Sequence, residues 1–402
     1  MGNTNAINAR VAAQGRRGKV IVKPSYFKEA VVIPARMSGI EDLNFLLDHL
    51  VKSGGSDLFL CGDDYAWIRK NSKLVRVTKR VITAKEVMDM LVSFYGINAT
   101  AKLGMPEPID IDLDYKEKIS ANRVIRHRFR VNAVYAKING RLVPDLTIRS
   151  IASQPPSASD LGIEDEVLKI CKNSQQGLFL MVGSTGNGKS TTLAGIIRYM
   201  VEDESANRKM VTIEKPIEYV YEDIDKPSSI IRQFQVGQCV SDFSEGLRNA
   251  LRQDPDDILI GEARDLETIS LATEACVTGH FVLSTVHANS VSETIPRMTN
   301  PFEPSMQHKI QQDLIQAMQM IVAQRLVPTL DGKRTALREY LIFTPEVKMI
   351  LSKSKNIAQD VKRLTFELGV PMFKSALNAY EDGKISKETL EKIRFNYGDG
   401  DS

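Results

Sequence analysis

The residues best suited to chemistry lie in Gly183-Ser184-Thr185-Gly186-Asn187-Gly188-Lys189-Ser190-Thr191, where Gly183-x4-Gly188-Lys189-Ser190 meets every requirement of a phosphate-binding loop. Its glycines let backbone N–H groups turn inward around phosphate oxygens, and a helix starting there adds the positive end of its dipole. Lys189 supplies a cation for terminal phosphates and Ser190 a hydroxyl for Mg2+, so ATP and magnesium are the expected ligands. A glycine-rich turn with no ligand would have the same composition. The flanks argue against it: Leu178 to Val182 read as a buried strand, and Leu193, Ile196, Ile197, Met200 and Val201 recur at helical spacing.

Such a site needs a group that activates water. Asp257-Ile-Leu-Ile-Gly-Glu262 reads as a buried strand ending in a carboxylate, which makes Glu262 the candidate general base. Gly261 stands where an aspartate commonly precedes this glutamate, so support for the metal must come from elsewhere. Glu214 and Glu218, in Thr212-Ile-Glu-Lys-Pro-Ile-Glu218, are the expected suppliers. A further strand is bracketed by His280 and His287 in Thr278-Gly-His-Phe-Val-Leu-Ser-Thr-Val-His-Ala-Asn289. Each alone fits a core or capping histidine; beyond a strand end, either can instead hydrogen-bond a terminal phosphate and register its departure.

These groups require a scaffold, and the chain from 160 onward has the rhythm of one. Helix 160–174, strand 178–182, helix 190–202, strand 209–214, helix 243–252, strand 257–261, helix 266–278 and strand 281–286 alternate as in a parallel α/β sheet. A long helix through Ile310, Leu314, Met318, Ile321 and Val322 follows, then a hairpin of Leu326–Leu330 and Thr335–Phe343 about Asp331-Gly332, then surface helices. The upstream region is α+β. A helix through Leu43, Leu46, Leu47 and Leu50 precedes strand Asp57–Cys61, a hairpin of Ala66–Arg69 and Leu74–Thr78 turned by Asn71-Ser72, and a helix with Val87, Met88, Leu91 and Phe94. Two alternating strands, Ile109–Tyr115 and Arg126–Val134, then place Asp110, Asp112 and Asp114 against Arg126, Arg128 and Arg130. A cross-strand salt-bridge ladder explains these carboxylates better than a metal site.

The resulting division is a basic flexible arm (1–40), an α+β domain (41–152), a linker (153–160) marked by Pro155-Pro156, an α/β domain (161–345) and a C-terminal helical region (346–402). In the arm, Arg10, Arg16, Arg17, Lys19, Lys23 and Lys28 face only Glu29, which suits a solvated tail or, less readily, a docking segment for an acidic surface. Met1-Gly2 opens like a myristoylation signal, but Ala6 stands where Ser or Thr is needed. Length, 402 residues, suits two or three domains. With 53 basic and 50 acidic side chains the net charge is only +3, so no global field selects nucleic acid or membrane. The four cysteines form no CxxC, which fits a reducing compartment and disfavours structural zinc. Neither a membrane-spanning run nor a signal h-region is evident, so a cytoplasmic protein is expected.

The ordered set of the phosphate loop, Thr212-Ile-Glu-Lys-Pro-Ile-Glu218, Leu251-Arg-Gln-Asp-Pro-Asp-Asp-Ile-Leu-Ile-Gly-Glu-Ala-Arg-Asp265 and Thr278-Gly-His…Ser-Thr-Val-His-Ala-Asn289 resembles the Walker A, aspartate-box, Walker B and histidine-box motifs of the PilT-like secretion ATPases. Val75–Arg80 and Arg334–Phe343 look most like the DotB branch of type IVB secretion and its conjugative relative TraJ. The resemblance covers residues 45 to 350. It implies a RecA-like P-loop ATPase core with a PAS-like N-terminal domain, a homo-hexameric ring, and recruitment to the inner membrane by secretion or conjugation components. It also implies that Arg130, Arg141 and Arg149 reach bound nucleotide from the N-terminal domain, with Arg128 able to substitute for Arg130, and that Arg264 belongs to the Walker B set. Lys215 departs from the family, which commonly has an acid there, so the metal role falls on Glu214 and Glu218. An alternative is a nucleic-acid-stimulated RecA-type translocase; the single tryptophan, Trp67, and the absence of a basic-aromatic stripe disfavour it, and no direct nucleic-acid binding is expected. A small-molecule kinase leaves the two-domain plan unexplained.

Overall fold

The computed structural model describes residues 31–70, 73–120, 123–151 and 154–398. Expectations about the first 30 residues, the Asn71-Ser72 turn and Ser153 lie outside the described residues. The chain divides into two compact units at Ser153/Gln154.

In the first unit, α1 (Ile40–Lys52) buries Leu43, Leu46, Leu47 and Leu50 on one stripe, all at most 1% exposed. Each such leucine contributes about 1.5–3 kcal/mol by leaving water. The stripe packs against a six-stranded sheet of β1 (Asp57–Cys61), β2 (Trp67–Lys70), β3 (Lys73–Arg76), β4 (Ile109–Ser120), β5 (Arg123–Ile138) and β6 (Arg141–Ile151), ordered β3-β2-β1-β6-β5-β4. Helices α2 (Ala84–Tyr95) and α3 (Asn98–Gly104) complete the unit; α3 was not expected. The acid–arginine ladder forms, with Arg130 on Asp110 and Arg126 on Asp114, each at 2.5 Å.

Residues 31–40, placed in the expected arm, belong to the first unit. Val31 bridges Thr78, and Met37 is fully buried, its N–H donating to Glu86 Oε1 at 2.8 Å. Glu86 also forms a capping box with Thr83 at the start of α2 and accepts from Arg80 at 2.7 Å. Burial alone would push this carboxyl up, but Arg80 and the Thr83 and Met37 N–H groups outweigh it and hold it at about 2, against an ordinary 4.5. A depressed carboxylate stabilises the fold above the unfolded-state value, and that contribution is lost as pH falls from 4.5 towards 2. Glu86→Gln should therefore lower stability at neutral pH by about 3 kcal/mol, with the deficit vanishing near pH 2. Denaturant melts across pH check this; a pH-independent deficit would contradict it.

The second unit carries a seven-stranded sheet ordered β13-β12-β7-β11-β10-β8-β9. Its strands are β7 (Gly177–Val182), β8 (Lys209–Glu214), β9 (Ile230–Gln235), β10 (Asp257–Ile260), β11 (Phe281–Val286), β12 (Met318–Pro328) and β13 (Arg334–Ile342). All neighbours are parallel except the β12–β13 hairpin. The helices are α4 (Asp165–Asn173), α5 (Lys189–Val201), α6 (Phe243–Leu251), α7 (Leu266–Val277), α8 (Val291–Thr299), α9 (Pro304–Ala317), α10 (Pro345–Ser352), α11 (Ile357–Leu368), α12 (Met372–Glu381) and α13 (Lys387–Tyr397).

Several expectations need correction. The helix expected from 160 begins at Asp165, because Ser157–Gly162 turn instead and Gly162 takes φ 53°. The long helix stops at Ala317, so Met318, Ile321 and Val322 lie in β12 between β7 and β13, where a continuous apolar run satisfies two covered faces. The C-terminal helices are not simply a surface layer: Val347, Leu351, Val361 and Leu364 of α10 and α11 join the sheet's own core.

Candidate functional site

Strand register assembles the site. Val182 of β7 lies level with Val286 of β11 and Ala323 of β12, while Ile260 of β10 lies level with Ile213 of β8 and Ser284 of β11. One residue further along the chain from Val182, Val286, Ala323, Ile260 and Ile213, at the carboxyl edge of the sheet, come Gly183, His287, Gln324, Gly261 and Glu214. Ligands of open α/β sheets bind at that edge.

The loop from Gly183 to Gly188 leads into α5, with Gly183, Gly186 and Gly188 at φ 146°, 82° and 74°. Two of these glycines are forced by a neighbour. A Cβ on Gly183 would stand 2.6 Å from the Gln324 carbonyl oxygen, and one on Gly188 would stand 3.2 Å from Gln324 Nε2. The Lys189 ammonium is buried inside the loop and donates to the carbonyls of Gly183 at 2.7 Å and Ser184 at 3.2 Å. Burial lowers its pKa, and the nearby negative charges of Glu262 and Glu218 oppose that shift. Ser184 and Ser190 are exposed, as is Thr185, while Thr191 meets the Tyr219 hydroxyl at 3.0 Å.

Glu262 follows β10 directly. Its carboxylate lies 3.4 Å from His287 Nε2 and 3.9 Å from Arg264 Nη1. Gly261 lets the ends of β10 and β8 close on each other: its N–H donates to Ile213 O at 2.8 Å, and a Cβ there would stand 3.2 Å from that oxygen and 3.4 Å from Glu214 Cα. Glu214 accepts from Thr212 Oγ1 at 2.6 Å and Gln233 Nε2 at 3.1 Å. Burial raises its pKa, and the negative charge of Glu218 adds to the rise. A divalent cation would relieve that repulsion, so Glu214 and Glu218 with the exposed Ser190 hydroxyl suit magnesium, which takes few protein ligands and keeps several waters.

The structure separates other expected partners. His280 sits at the opposite, amino edge of the sheet, immediately before β11; its Nδ1 lies 3.2 Å from Ala275 O and 3.5 Å from Thr278 Oγ1, so it caps the end of α7. The capping reading holds for His280, and the phosphate reading is left to His287. In the first unit, Arg130 and Arg149 are direct cross-strand partners on β5 and β6, tied to Asp110 and to Asp57, the latter at 2.7 Å. Arg141 starts β6 at the Asn139-Gly140 turn, on the order of 25 Å along the strand from Arg149, so the three arginines do not form one cluster. Arg128 is only 4% exposed and faces Asp112 and Asp114, which removes it as a substitute for Arg130.

Residues that the sequence reading passed over hold the site together. β9 supplies Gln233 to Glu214 and to Tyr219 O, and Gln235 to the N–H of Ile217, which fixes the 215–221 loop. β12 supplies Gln324, 3% exposed, to the phosphate loop.

A parallel α/β sheet with this loop, a carboxylate beyond β10 and paired glutamates beyond β8 defines a P-loop ATPase. The chain belongs to the Type II/IV secretion system protein family, whose model matches residues 40–374. Within it the chain is one of the PilT-like secretion ATPases. It is 33% identical over 314 residues to the type IV pilus retraction ATPase PilT of Pseudomonas aeruginosa, covering 78% of this chain and 86% of that one. Among solved structures it is similar to the Legionella pneumophila ATPase DotB, at a TM-score of 0.83 and 32% identity over 91% of this chain and 99% of that one. It is also similar to the pilus retraction motor PilT solved with ADP, at a TM-score of 0.76 and 29% identity over 87% and 96%. Among the described residues no helix is long and apolar enough to cross a membrane.

Proposed function

We propose that this chain hydrolyses ATP as one subunit of a homo-hexameric ring that drives a type IV secretion, conjugation or pilus apparatus at the cytoplasmic face of the inner membrane. The observation that carries this reading is the convergence of Lys189, Glu214, Glu262 and His287 on one sheet edge beside the phosphate loop. Lys189 holds the terminal phosphates in place of the carbonyls it now contacts. Glu262 takes a proton from water, and His287, within reach of Glu262, orients it or senses the leaving phosphate. Ser190, Glu214 and Glu218 would hold magnesium, which would neutralise charge developing on the phosphates. In this reading the first unit is the PAS-like domain, the residues around Pro155-Pro156 are its hinge, and ATP draws it over the loop; release of phosphate loosens it. Copies of this chain and components of an inner-membrane secretion or conjugation complex are the expected partners, and nucleic acid is not.

Arg149, 65% exposed in its side chain, is the arginine suited to reach nucleotide from the first unit, with Arg130 beside it. Arg149→Ala is expected to lower kcat by roughly a hundredfold and ATP affinity much less, below the roughly thousandfold or more of an arginine finger because Arg130 stands directly across from it. The measurement pairs steady-state turnover with binding of a nonhydrolysable analogue and the mass of the assembled ring. Mixing Arg149→Ala with Lys189→Ala subunits restores some activity if the arginine serves a neighbour and none if it serves its own subunit. Full turnover by Arg130→Ala, Arg141→Ala and Arg149→Ala alike would overturn the closure mechanism.

A further inference from the structure

The floor of the phosphate loop is β12, and β12 is fastened from behind by an arginine the reaction does not use. Arg338 of β13 is 2% exposed and lies directly across from Gln324 in the β12–β13 register. Its Nε donates to Gln324 Oε1 at 2.8 Å. Its other nitrogens reach Gly162 O at 2.8 Å, Leu161 O at 3.0 Å and Glu164 Oε2 at 3.2 Å, all in the turn that opens the second unit. Gln324 then faces the loop: its amide donates to Asn187 O at 2.7 Å, and its Oε1 accepts from Thr192 of α5 at 2.9 Å. Asn187 is fixed a second time, accepting through Oδ1 from the N–H of Leu326 at 3.2 Å.

The links join the side chains of Arg338 and Gln324, each with a small set of discrete arrangements and at most 3% exposed, to backbone carbonyls of the turn and the loop. A buried network of this kind transmits displacement because no solvent can replace a lost partner. The turn at 161–164 is where the chain arriving from the first unit enters the second, and Asn187 sits at the crest of the phosphate loop. We infer that Gln324 and Arg338 are positioning residues that set the conformation of the phosphate loop and couple it to the Leu161–Glu164 turn, so that nucleotide occupancy and the position of that turn influence each other. This inference rests on the reading of Gly183–Ser190 as the nucleotide site. The coupling is reciprocal, as any binding linkage must be.

Gln324→Glu isolates the arm that touches the loop. The carboxylate keeps acceptors for Arg338 and Thr192 and removes the donor to Asn187 O. The full-length variant should stay folded, its melting temperature lower by only a few degrees, while its KM for ATP rises about tenfold, on the scale of one buried acceptor left unpaired. Arg338→Met removes the fastening, and Arg338→Lys keeps charge without the fork that spans Gln324 and the turn; both should raise KM by a similar factor. Because the two residues act through one path, the double variant Gln324→Glu/Arg338→Lys should resemble either single variant, whereas independent sites would multiply to about a hundredfold. Where Arg338→Met does not fold, Gln324→Glu and Arg338→Lys still decide. A folded Gln324→Glu with wild-type KM, or effects that multiply in the double variant, overturns the inference. Lys189→Ala run in parallel separates the two readings: if it is inactive while Gln324→Glu is normal, only the coupling is wrong, and if it turns over ATP normally, the nucleotide site itself is misplaced.

Discussion

Lys189→Ala will reduce ATP turnover to near background, a loss of roughly a hundred- to thousandfold, while the protein stays folded. The size follows from where the ammonium stands. It is buried within the loop, held by two backbone carbonyls, with Glu262 and Glu218 close enough to favour its charge. A cation fixed in a water-poor site is worth far more to developing phosphate charge than one in solvent, and removing a single preorganised donor of this kind costs about that factor. The fold should survive because Lys189 contributes no apolar packing to the cores on either side of the sheet. Turnover and a thermal melt of the same preparation check both halves. Normal turnover would show that phosphate is held elsewhere.

Glu262→Gln should behave differently, binding ATP with near-normal affinity and then failing to hydrolyse it, with kcat lower by about a hundredfold or more. Among the described edge carboxylates Glu262 is the one beside His287, at 3.4 Å, and with its side chain 26% exposed it can meet water. Glu214, in contrast, already accepts from Thr212 and Gln233. The amide of the variant keeps the shape of the side chain and loses only its basicity. Isolation of the variant with unhydrolysed ATP, together with single-turnover kinetics, tests this. Normal hydrolysis here alongside an inactive Glu214→Gln would exchange the two roles.

The phosphate loop and its strand and helix were legible because local pattern and chemistry agree there: a buried strand, glycines at fixed offsets and an amphipathic run. Glu262, Glu214 and His287 are legible for a related reason, since each stands at or just past the end of a short, buried strand rich in Ile, Val and Leu. What escaped was set by tertiary register. β9 reads Ile-Ile-Arg-Gln-Phe-Gln, without the alternation of a half-buried strand, and it earns its place only as an edge beside β8. Gln324 is one polar residue in a mostly apolar stretch and Arg338 a charged residue of the hairpin strand; only the pairing of β12 with β13 and β7 shows them buried beside the loop. α8 did carry a signal, Ser290 with Glu293 three residues on, which the interior Pro296 obscured. His280 and His287 look equivalent in sequence, but the 6-residue strand between them places them at opposite edges of the sheet.

Gly261 also limits which sequences this chain can reach by mutation. A Cβ there would stand 3.2 Å from the Ile213 carbonyl oxygen and 3.4 Å from Glu214 Cα, so an aspartate gained by a single codon change would press on β8 at the point where Glu214 is delivered. Restoring the ordinary acidic pair thus disturbs the acids it would join, and searches that demand aspartate before the glutamate will pass over chains built on the same plan.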